Sequence, residues 1–438
     1  MIVQRMKHKT NRNPHMLYVC RLLTLIALFS LIGSLQLSAQ VYPLEYLDMA
    51  EENNPGLRAQ KARYEAAKEQ SRITGTLPDP ELTAGISTPP MERLMGDHWF
   101  DIGVMQMFPW FGTLNKQRSA SETRAEALIH EYHDSRNKLF LELTTHWLKI
   151  YEKDRQLDIL QDYQETLKAR EDIIYARYAG GSQQTSMTTD LYRLKIRLAE
   201  IENRKNKIRQ EKASLTRTFN VIAGRNELAE VTIPDSLPEA GLPDIPDNFS
   251  RNLVAENPLL LAGESDAQAA ETEKEAARLN TRPRFGLGLQ YSYFASGDPA
   301  MGQMDGGHML MPMVSVSLPV FGNKNRAVHE QAGKLAEMEG FRKNNIINTL
   351  EIQWTNLETA LKNLQRDYDF YLQQEDLIRK TYELVMNTYA SGDEGFEELL
   401  RMEEQLLDVT WRLLDVHVQH HTSMAEFQML KTENIFQR

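Results

Sequence analysis

The sequence is poor in the features that define several protein classes. It has one cysteine in 438 residues, Cys20, so the body of the chain has no disulfide bonds to stabilise it. Acidic residues outnumber basic residues by 61 to 50, which argues against nucleic acid or an anionic lipid surface as a partner. A glycine-rich phosphate loop, a His-Glu-x-x-His motif and a nucleophile elbow are all missing from the sequence. We therefore expect no enzyme activity and no cofactor.

Long hydrophobic runs are also missing after the N-terminal segment. No stretch there reaches the roughly 18 consecutive apolar residues of a membrane-spanning helix. Transmembrane strands alternate instead of forming such runs, so a β-barrel in an outer membrane remains open.

The N-terminal segment has the composition of a signal peptide. Its basic region contains no acidic residue and holds Arg5, Lys7, Lys9, Arg12 and Arg21. An apolar stretch, 22–35, and small residues before Gln40 follow, which predicts cleavage between Ala39 and Gln40. Removal of these five basic residues leaves 45 against 61 acidic ones, a net charge of −16. Cys20 precedes the apolar stretch, so we expect no lipidation; an uncleaved anchor is the alternative.

The order of short motifs along the chain occurs twice. Asn54-Pro55 recurs 203 residues later as Asn257-Pro258, and Pro109-Trp110-Phe111-Gly112 recurs 210 residues later as Pro319-Val320-Phe321-Gly322. The motif Tyr178-Ala179-Gly180-Gly181 recurs 211 residues later as Tyr389-Ala390-Ser391-Gly392. The offset grows mainly before the second motif, so the hairpin of the second half is the longer one. An internal repeat of a helix, two strands and a helical hairpin is predicted.

The repeat fixes the expected organisation, which is mainly α with a small β part. We expect a signal peptide at 1–39, a first repeat at 40–224 with a helix, a β-hairpin at 81–107 and a helical hairpin at 114–222, a proline-rich crossover linker at 225–249, and a second repeat at 250–438 with a helix, a β-hairpin at 284–318 and a helical hairpin at 324–436. In the first hairpin the strands are predicted at 81–87 and 99–107, with a loop that contains Pro89, Pro90 and Gly96.

Apolar residues recur every seventh position in the helical hairpins. One series is Leu194, Ile201, Ile208, Leu215 and Ile222, and another is Leu350, Leu357, Leu364, Tyr371, Ile378 and Val385. A straight helix drifts by about 20° per heptad, so sustained sevens predict supercoiled, antiparallel coiled-coil helices.

The strands have one apolar and one small or polar face. In 285–293 the apolar residues Phe285, Leu287, Leu289, Tyr291 and Tyr293 alternate with Gly286, Gly288, Gln290 and Ser292. Outer-membrane strands alternate in this way, but so does a sheet packed on a core. Every predicted helix is already committed to a coiled coil, which favours lipid as the cover. Four strands are too few to close a barrel within one chain, so oligomerisation is required.

Together these features resemble the TolC-like outer-membrane efflux protein (outer membrane factor) family over essentially the whole mature chain. The resemblance lies in the two Asn-Pro helix starts, the two Pro-x-Phe-Gly motifs and the turn sequences after Tyr178 and Tyr389, with Asp190-Leu191 and Leu399-Leu400 after those turns. The stretch 177–224 is most similar to the branch that serves heavy-metal (cation) efflux pumps. No single motif is specific, but their doubled order is.

This resemblance implies a homotrimer in the outer membrane of a Gram-negative bacterium. Three chains would form a twelve-stranded β-barrel, continued by an α-barrel across the periplasm. It also implies a periplasmic adaptor (membrane fusion) protein and an inner-membrane resistance-nodulation-division pump as partners.

The two helical turns are the predicted contact sites. Adaptor docking is assigned to Gly180, Gly181, Ser182, Gly392 and Gly395, although these residues also suit simple turns. The aperture candidates are Asp393, Glu394, Glu397 and Glu398, which a threefold axis would arrange as a ring of carboxylates favouring cations. An acidic helix start that only complements the helix dipole is the alternative.

Two groups could bind metal but have simpler explanations. Met309, Met311 and Met313 share the predicted lumen face and are soft ligands, yet methionine also fills irregular space. His417, His420 and His421 are expected to spread around the last helix as solvated or interfacial residues.

The predicted function is a passive exit channel of a tripartite efflux system, carrying metal cations or small toxic compounds. The alternatives are the exit channel of a type I protein secretion system and a periplasmic coiled-coil scaffold without a pore.

Overall fold

The computed structural model describes residues 43–93, 96–179, 184–238, 254–296, 306–390 and 395–431. The predicted signal peptide and its cleavage site lie outside these residues, as does most of the predicted crossover linker. Pro43 and residues 235–238 belong to a small separate unit, and all the elements described below belong to the other.

The described part of the first half contains four helices and two strands. They are α1 (Leu44–Asn53), α2 (Pro55–Thr74), β1 (Glu81–Arg93), β2 (Gly96–Phe108), α3 (Thr113–Ala179) and α4 (Gln184–Ile222). The described part of the second half contains α5 (Pro258–Asn280), β3 (Arg284–Ala295), β4 (Gly307–Ser317), α6 (Gly322–Ala390) and α7 (Phe396–Lys431). None of these helices combines the length and the apolarity that a membrane-crossing helix needs.

The two Asn-Pro motifs start equivalent helices by the same contacts. The side-chain oxygen of Asn54 accepts hydrogen bonds from the first two backbone N–H groups after Pro55, at 2.9 and 3.2 Å. Its amide nitrogen donates to the carbonyl of Ile222, at the end of α4, at 3.1 Å. Asn257 caps α5 in the same way and donates to the carbonyl of Leu430, in the last turn of α7, at 3.2 Å. Each half is therefore closed by a cap that also binds its last helix.

The two hairpins form one antiparallel sheet in the order β1-β2-β3-β4. Strands β2 and β3 join the halves, with Met105 opposite Gly288. Strand β1 runs further than predicted, through Pro89 and Pro90 to Arg93, and its pairing with β2 shifts register between Ile86 and Met91. The predicted loop at this point is wrong. Proline is tolerated at bulges and on edge strands, where its missing N–H breaks no ladder.

Helices α3 and α6 are the longest elements, with 67 and 69 residues. At 1.5 Å per residue each extends over about 100 Å. Helix α3 contacts α2 and α5 in its first half, through ion pairs such as Arg124 with Glu273 at 3.1 Å. In its second half it contacts α4 and α7, for example where Asp154 pairs with Lys212 of α4.

The heptad residues form the core of the helical part. One cluster contains Leu160, Leu167, Leu194, Ile201 and Leu399, and another contains Leu350, Trp354, Leu357, Leu361 and Phe427. Both predicted heptad series thus contribute buried residues, which confirms coiled-coil packing of the long helices. The fold class is confirmed: the chain is mainly α with a four-stranded antiparallel sheet.

Candidate functional site

One face of the sheet is apolar and exposed. Its residues are Leu82, Ile86, Ile102, Val104, Leu287, Leu289, Leu310, Val314 and Val316. Ile86 and Val314 keep 79% and 74% of their surface accessible, and no described helix packs over this face. A contiguous apolar surface of this extent marks contact with a membrane or another protein.

The opposite face is lined by glycine, serine and methionine. Met105 lies opposite Gly288, and Gly288 lies opposite Met313, so the three form one row across three strands. The hydroxyl of Ser315 lies 3.9 Å from the sulfur of Met105 and 3.8 Å from that of Met107. These thioethers occupy the space above the glycines that a larger side chain would take.

Gly286 shows how tight this layer is. A Cβ at this position would lie 2.2 Å from Ser315 Oγ and 2.7 Å from Met107 Sδ. Such distances are far inside van der Waals contact, so only glycine fits without displacing a neighbour.

The predicted methionines Met309, Met311 and Met313 lie on this small face, at alternating positions of β4. Met313 reaches across the sheet, with its Cε 3.9 Å from the Cβ position of Gly103. The structure therefore brings Met313 near the methionines of the first hairpin, which the sequence pattern left separate. Metal binding by these residues stays a prediction.

The predicted residues of the helical turns are only partly described. Gly180, Gly181, Ser182, Gly392, Asp393 and Glu394 lie outside the described residues. Gly395 directly precedes α7, and its carbonyl accepts a hydrogen bond from Leu399 N at 2.9 Å. A Cβ at Gly395 would meet no atom within 4 Å, so this position does not require glycine for steric reasons.

The two described aperture candidates are paired with arginines. The carboxylate of Glu397 lies 3.1 Å from the guanidinium of Arg193 on α4, and that of Glu398 lies 2.5 Å from Arg401. Glu397 remains largely exposed, so its pair is weak and screened by salt. The two arginines offset part of the acidic charge at the start of α7, and this pairing was not predicted from the sequence.

A buried ion pair joins three helices further from the turns. Arg170 of α3 donates from Nε to Glu403 of α7 at 3.1 Å, and the two side chains are only 7% and 4% exposed. The same guanidinium contacts the hydroxyl of Tyr382 at 2.5 Å and the sulfur of Met386 at 3.1 Å, both on α6. The second carboxylate oxygen of Glu403 has no hydrogen-bond partner among the described residues.

Burial dominates the electrostatics of this cluster. It raises the pKa of Glu403, and the nearby Arg170 offsets that increase only in part. Burial also raises the pKa of Tyr382, with a further contribution from the negative charge of Glu403. This cluster was not predicted from the sequence. Its one sequence signal is that Arg170 lies between Leu167 and Ile174 within an apolar series, where a charge needs a partner.

An open cleft of ≈ 600 Å³ lies between the α3–α4 and α6–α7 helical hairpins. On its wall the guanidinium of Arg204 stacks on the ring of Trp411, 3.5 Å from the centroid. Arg197 of α4 also binds Glu404 of α7 at 2.8 Å. The two hairpins therefore contact each other by polar and cation–π contacts along this cleft.

The histidines of α7 are not spread as expected. His417 and His421 lie together, with their Nε2 atoms 3.1 Å apart, whereas His420 is buried toward α6. The expectation that the three histidines spread around the helix is wrong for His417 and His421, because residues four apart share one helix face.

Comparison with known proteins yields similarity at the level of structure. No protein-family model matches the chain, and no curated protein matches it by sequence. Among solved structures, the chain is similar to CusC, whose crystal structures concern conformational changes accompanying folding and transmembrane channel formation. The two are 16% identical, the match covers 90% of this chain and 92% of CusC, and the TM-score is 0.74. The MtrE outer membrane channel of Neisseria gonorrhoeae in its open state is 16% identical, with coverage of 89% and 88% and a TM-score of 0.71. The outer membrane protein VceC of Vibrio cholerae is 15% identical, with coverage of 89% and 95% and a TM-score of 0.70.

These similarities extend over nearly the full length of each chain. At identities of 15–16% they establish a shared fold, and they carry no information on individual residues. The fold implied by the sequence motifs, long helical hairpins with four strands per chain, is the fold of these outer-membrane proteins.

Proposed function

We propose that the chain is the outer-membrane channel of a tripartite efflux system and acts as a passive homotrimeric duct. In this proposal it performs no chemistry and consumes no energy. Substrate enters from an inner-membrane pump of the resistance-nodulation-division type through a periplasmic adaptor protein.

The observation that carries this proposal is the two-faced sheet. Its apolar face is exposed, and its opposite face is lined by glycine, serine and methionine. A transmembrane barrel requires this arrangement, with apolar residues toward lipid and small or polar residues toward a lumen. A sheet packed on its own helices would instead bury its apolar face.

The sheet edges support assembly from several chains. Strands β1 and β4 each pair on one side only among the described elements. A lipid-exposed edge with unsatisfied N–H and C=O groups is too costly to persist in a membrane. Because β1 and β4 run antiparallel to each other, β4 of one copy can pair with β1 of the next, and three copies give twelve strands.

Helix α6 supports the same conclusion for the helical part. Phe370, Leu377 and Leu384 recur every seven residues on its surface and are exposed. This exposed series is separate from the buried heptad series of α6, so it can form a further coiled-coil contact with another helix. In the proposed trimer a neighbouring copy covers it.

The finer assignments rest on the family resemblance. Adaptor docking at the helical turns, with Gly180, Gly181, Ser182, Gly392 and Gly395, and an acidic aperture of Asp393, Glu394, Glu397 and Glu398 belong to this proposal. Metal cations are the proposed cargo class, with small toxic compounds as the second.

Cysteine cross-linking between the sheet edges tests the assembly. Leu82→Cys on β1 is combined in turn with Leu310→Cys, Val314→Cys or Val316→Cys on β4, since the register between copies must be found. Within one chain β1 and β4 are three interstrand spacings apart, a distance of about 14 Å. Disulfides need Cα atoms within about 7 Å, so any bond formed must join two copies.

A closed trimer predicts oxidised dimers and trimers and no larger species, with each single-cysteine variant as the control for random collisions. The same purified protein is expected to conduct ions across a planar lipid bilayer. Monomers in every double variant, together with no conductance, would instead indicate a periplasmic scaffold. Growth of a deletion strain on metal salts, on organic toxicants or with a secretion reporter then separates the cargo classes.

A further inference from the structure

Two histidines of α7 form a pair that the channel proposal does not use. His417 and His421 stack with their ring centroids 4.9 Å apart at an interplanar angle of 26°. Their Nε2 atoms are 3.1 Å apart, which in this arrangement requires one ring to donate an Nε2–H to the other.

The same geometry suits a shared metal ion. When both rings carry their proton on Nδ1, each Nε2 can offer a lone pair to an ion held between them. An ion bound at about 2.0–2.1 Å from each nitrogen spans an N···N separation of about 3–3.4 Å. The observed 3.1 Å lies within this range, so an ion could replace the shared proton with little movement of either ring.

The surroundings give the pair one covered and one open side. His421 is 7% exposed, whereas His417 is half-buried and accessible from solvent. His420 is buried against Gln365 and Tyr368 of α6, and its ring centroid is 6.1 Å from that of His421.

We propose that His417 and His421 bind one divalent first-row transition-metal ion per chain, with water in the remaining coordination positions. No group of three or more His, Cys, Asp or Glu side chains suited to a metal occurs in the described part of the chain. The pair therefore supplies two ligands only. Imidazole favours Zn²⁺, Ni²⁺ and Cu²⁺, and Cu²⁺ binds most tightly in the Irving–Williams order. The site needs neither a pore nor a trimer.

The test is a copper titration of the full-length protein, purified with an affinity tag that contains no histidine. The expected result is one Cu²⁺ per chain, with an electron paramagnetic resonance spectrum that shows coupling to two nitrogens. Loss of a partner outside the ligand shell already costs 10–100-fold in affinity. His417→Gln, which removes a ligand, is therefore expected to weaken binding by more than about tenfold and to remove the two-nitrogen signal.

His146→Gln is the matched control, because the ring of His146 on α3 bonds the backbone carbonyl of Glu142 and no other histidine lies three or four residues from it in the sequence. It should bind Cu²⁺ like the parent protein. His421→Gln should repeat the loss; if burial of residue 421 prevents its folding, the half-buried His417 variant decides alone. Unchanged stoichiometry and spectrum in His417→Gln, or no stoichiometric binding by the parent, would overturn the proposal. Neither result would affect the cross-linking test of the channel.

Discussion

Replacing Glu403 by leucine should be among the most damaging single changes in the helical part. Arg170 is 7% exposed, and among the described residues Glu403 is the only carboxylate bonded to it. Tyr382 and Met386 remain as neutral contacts, so the variant leaves a buried positive charge without a counter-ion. Breaking a buried pair on one side typically costs about 3–5 kcal/mol.

The double variant should behave differently. Arg170→Met together with Glu403→Leu removes both charges, and the new side chains have a similar length and an apolar character. Exchanges of this kind are often neutral or stabilising by about 1–4 kcal/mol, because the cost of desolvating two ions disappears. We therefore expect the double variant to unfold close to the parent protein or above it, while both single variants unfold well below it.

The measurement is the loss of helical circular dichroism on heating, for the purified protein and the three variants under one detergent condition. Lys380→Met with Asp376→Leu is a matched control, because this pair lies on the surface of α6 with an N···O distance of 2.6 Å. Surface pairs contribute about 0–1 kcal/mol, so these changes should be small and additive. Additive losses at Arg170 and Glu403, with the double variant the least stable of all, would contradict the reasoning.

Three further changes have defined outcomes. Burial raises the pKa of Glu403 above its ordinary 4.5. The stability that its protonated carboxyl group contributes is therefore complete below pH 4.5 and is lost as pH rises through the higher folded-state pKa. Glu403→Gln should flatten the fall of melting temperature with pH above 4.5, and an unchanged slope would refute this. Asn257→Ala removes a helix cap and the bond to Leu430, so it should lower the free energy of unfolding by about 1–2 kcal/mol. Asn54→Ala should lower it by a similar amount in denaturant unfolding, and a large difference between the two variants would contradict the equivalence of the two halves. Gly286→Val should destabilise the sheet, because a Cβ there meets Ser315 Oγ at 2.2 Å, and Ser315→Gly should restore part of the melting temperature if that contact is the cause.

Features that depend on local sequence were predictable. The Asn-Pro pairs set two helix starts, because the cap acts on the residues that follow it directly. The heptads of α4 and α6 specified which side of each helix is buried, and the alternation in β3 specified the two faces of the sheet.

Features that depend on distant partners were not predictable. Arg170 and Glu403 are 233 residues apart, and no periodicity indicates that they meet. The end of β1 was wrong because pairing with β2 continues past a bulge and overrides the local preference of Pro89 and Pro90 for a loop. The pair His417 and His421 was overlooked for a different reason, since the four-residue spacing that places both on one face was present in the sequence.

The continuity of α3 has a mechanical consequence. Helix α3 is continuous from just after β2 to the first helical turn, and its two halves pack against different helices. A displacement of one end of α3 is therefore expected to tilt the whole helix about its contacts with α4 and α7. A force applied at the far end of α3 therefore reaches the end beside β2 through one unbroken helix.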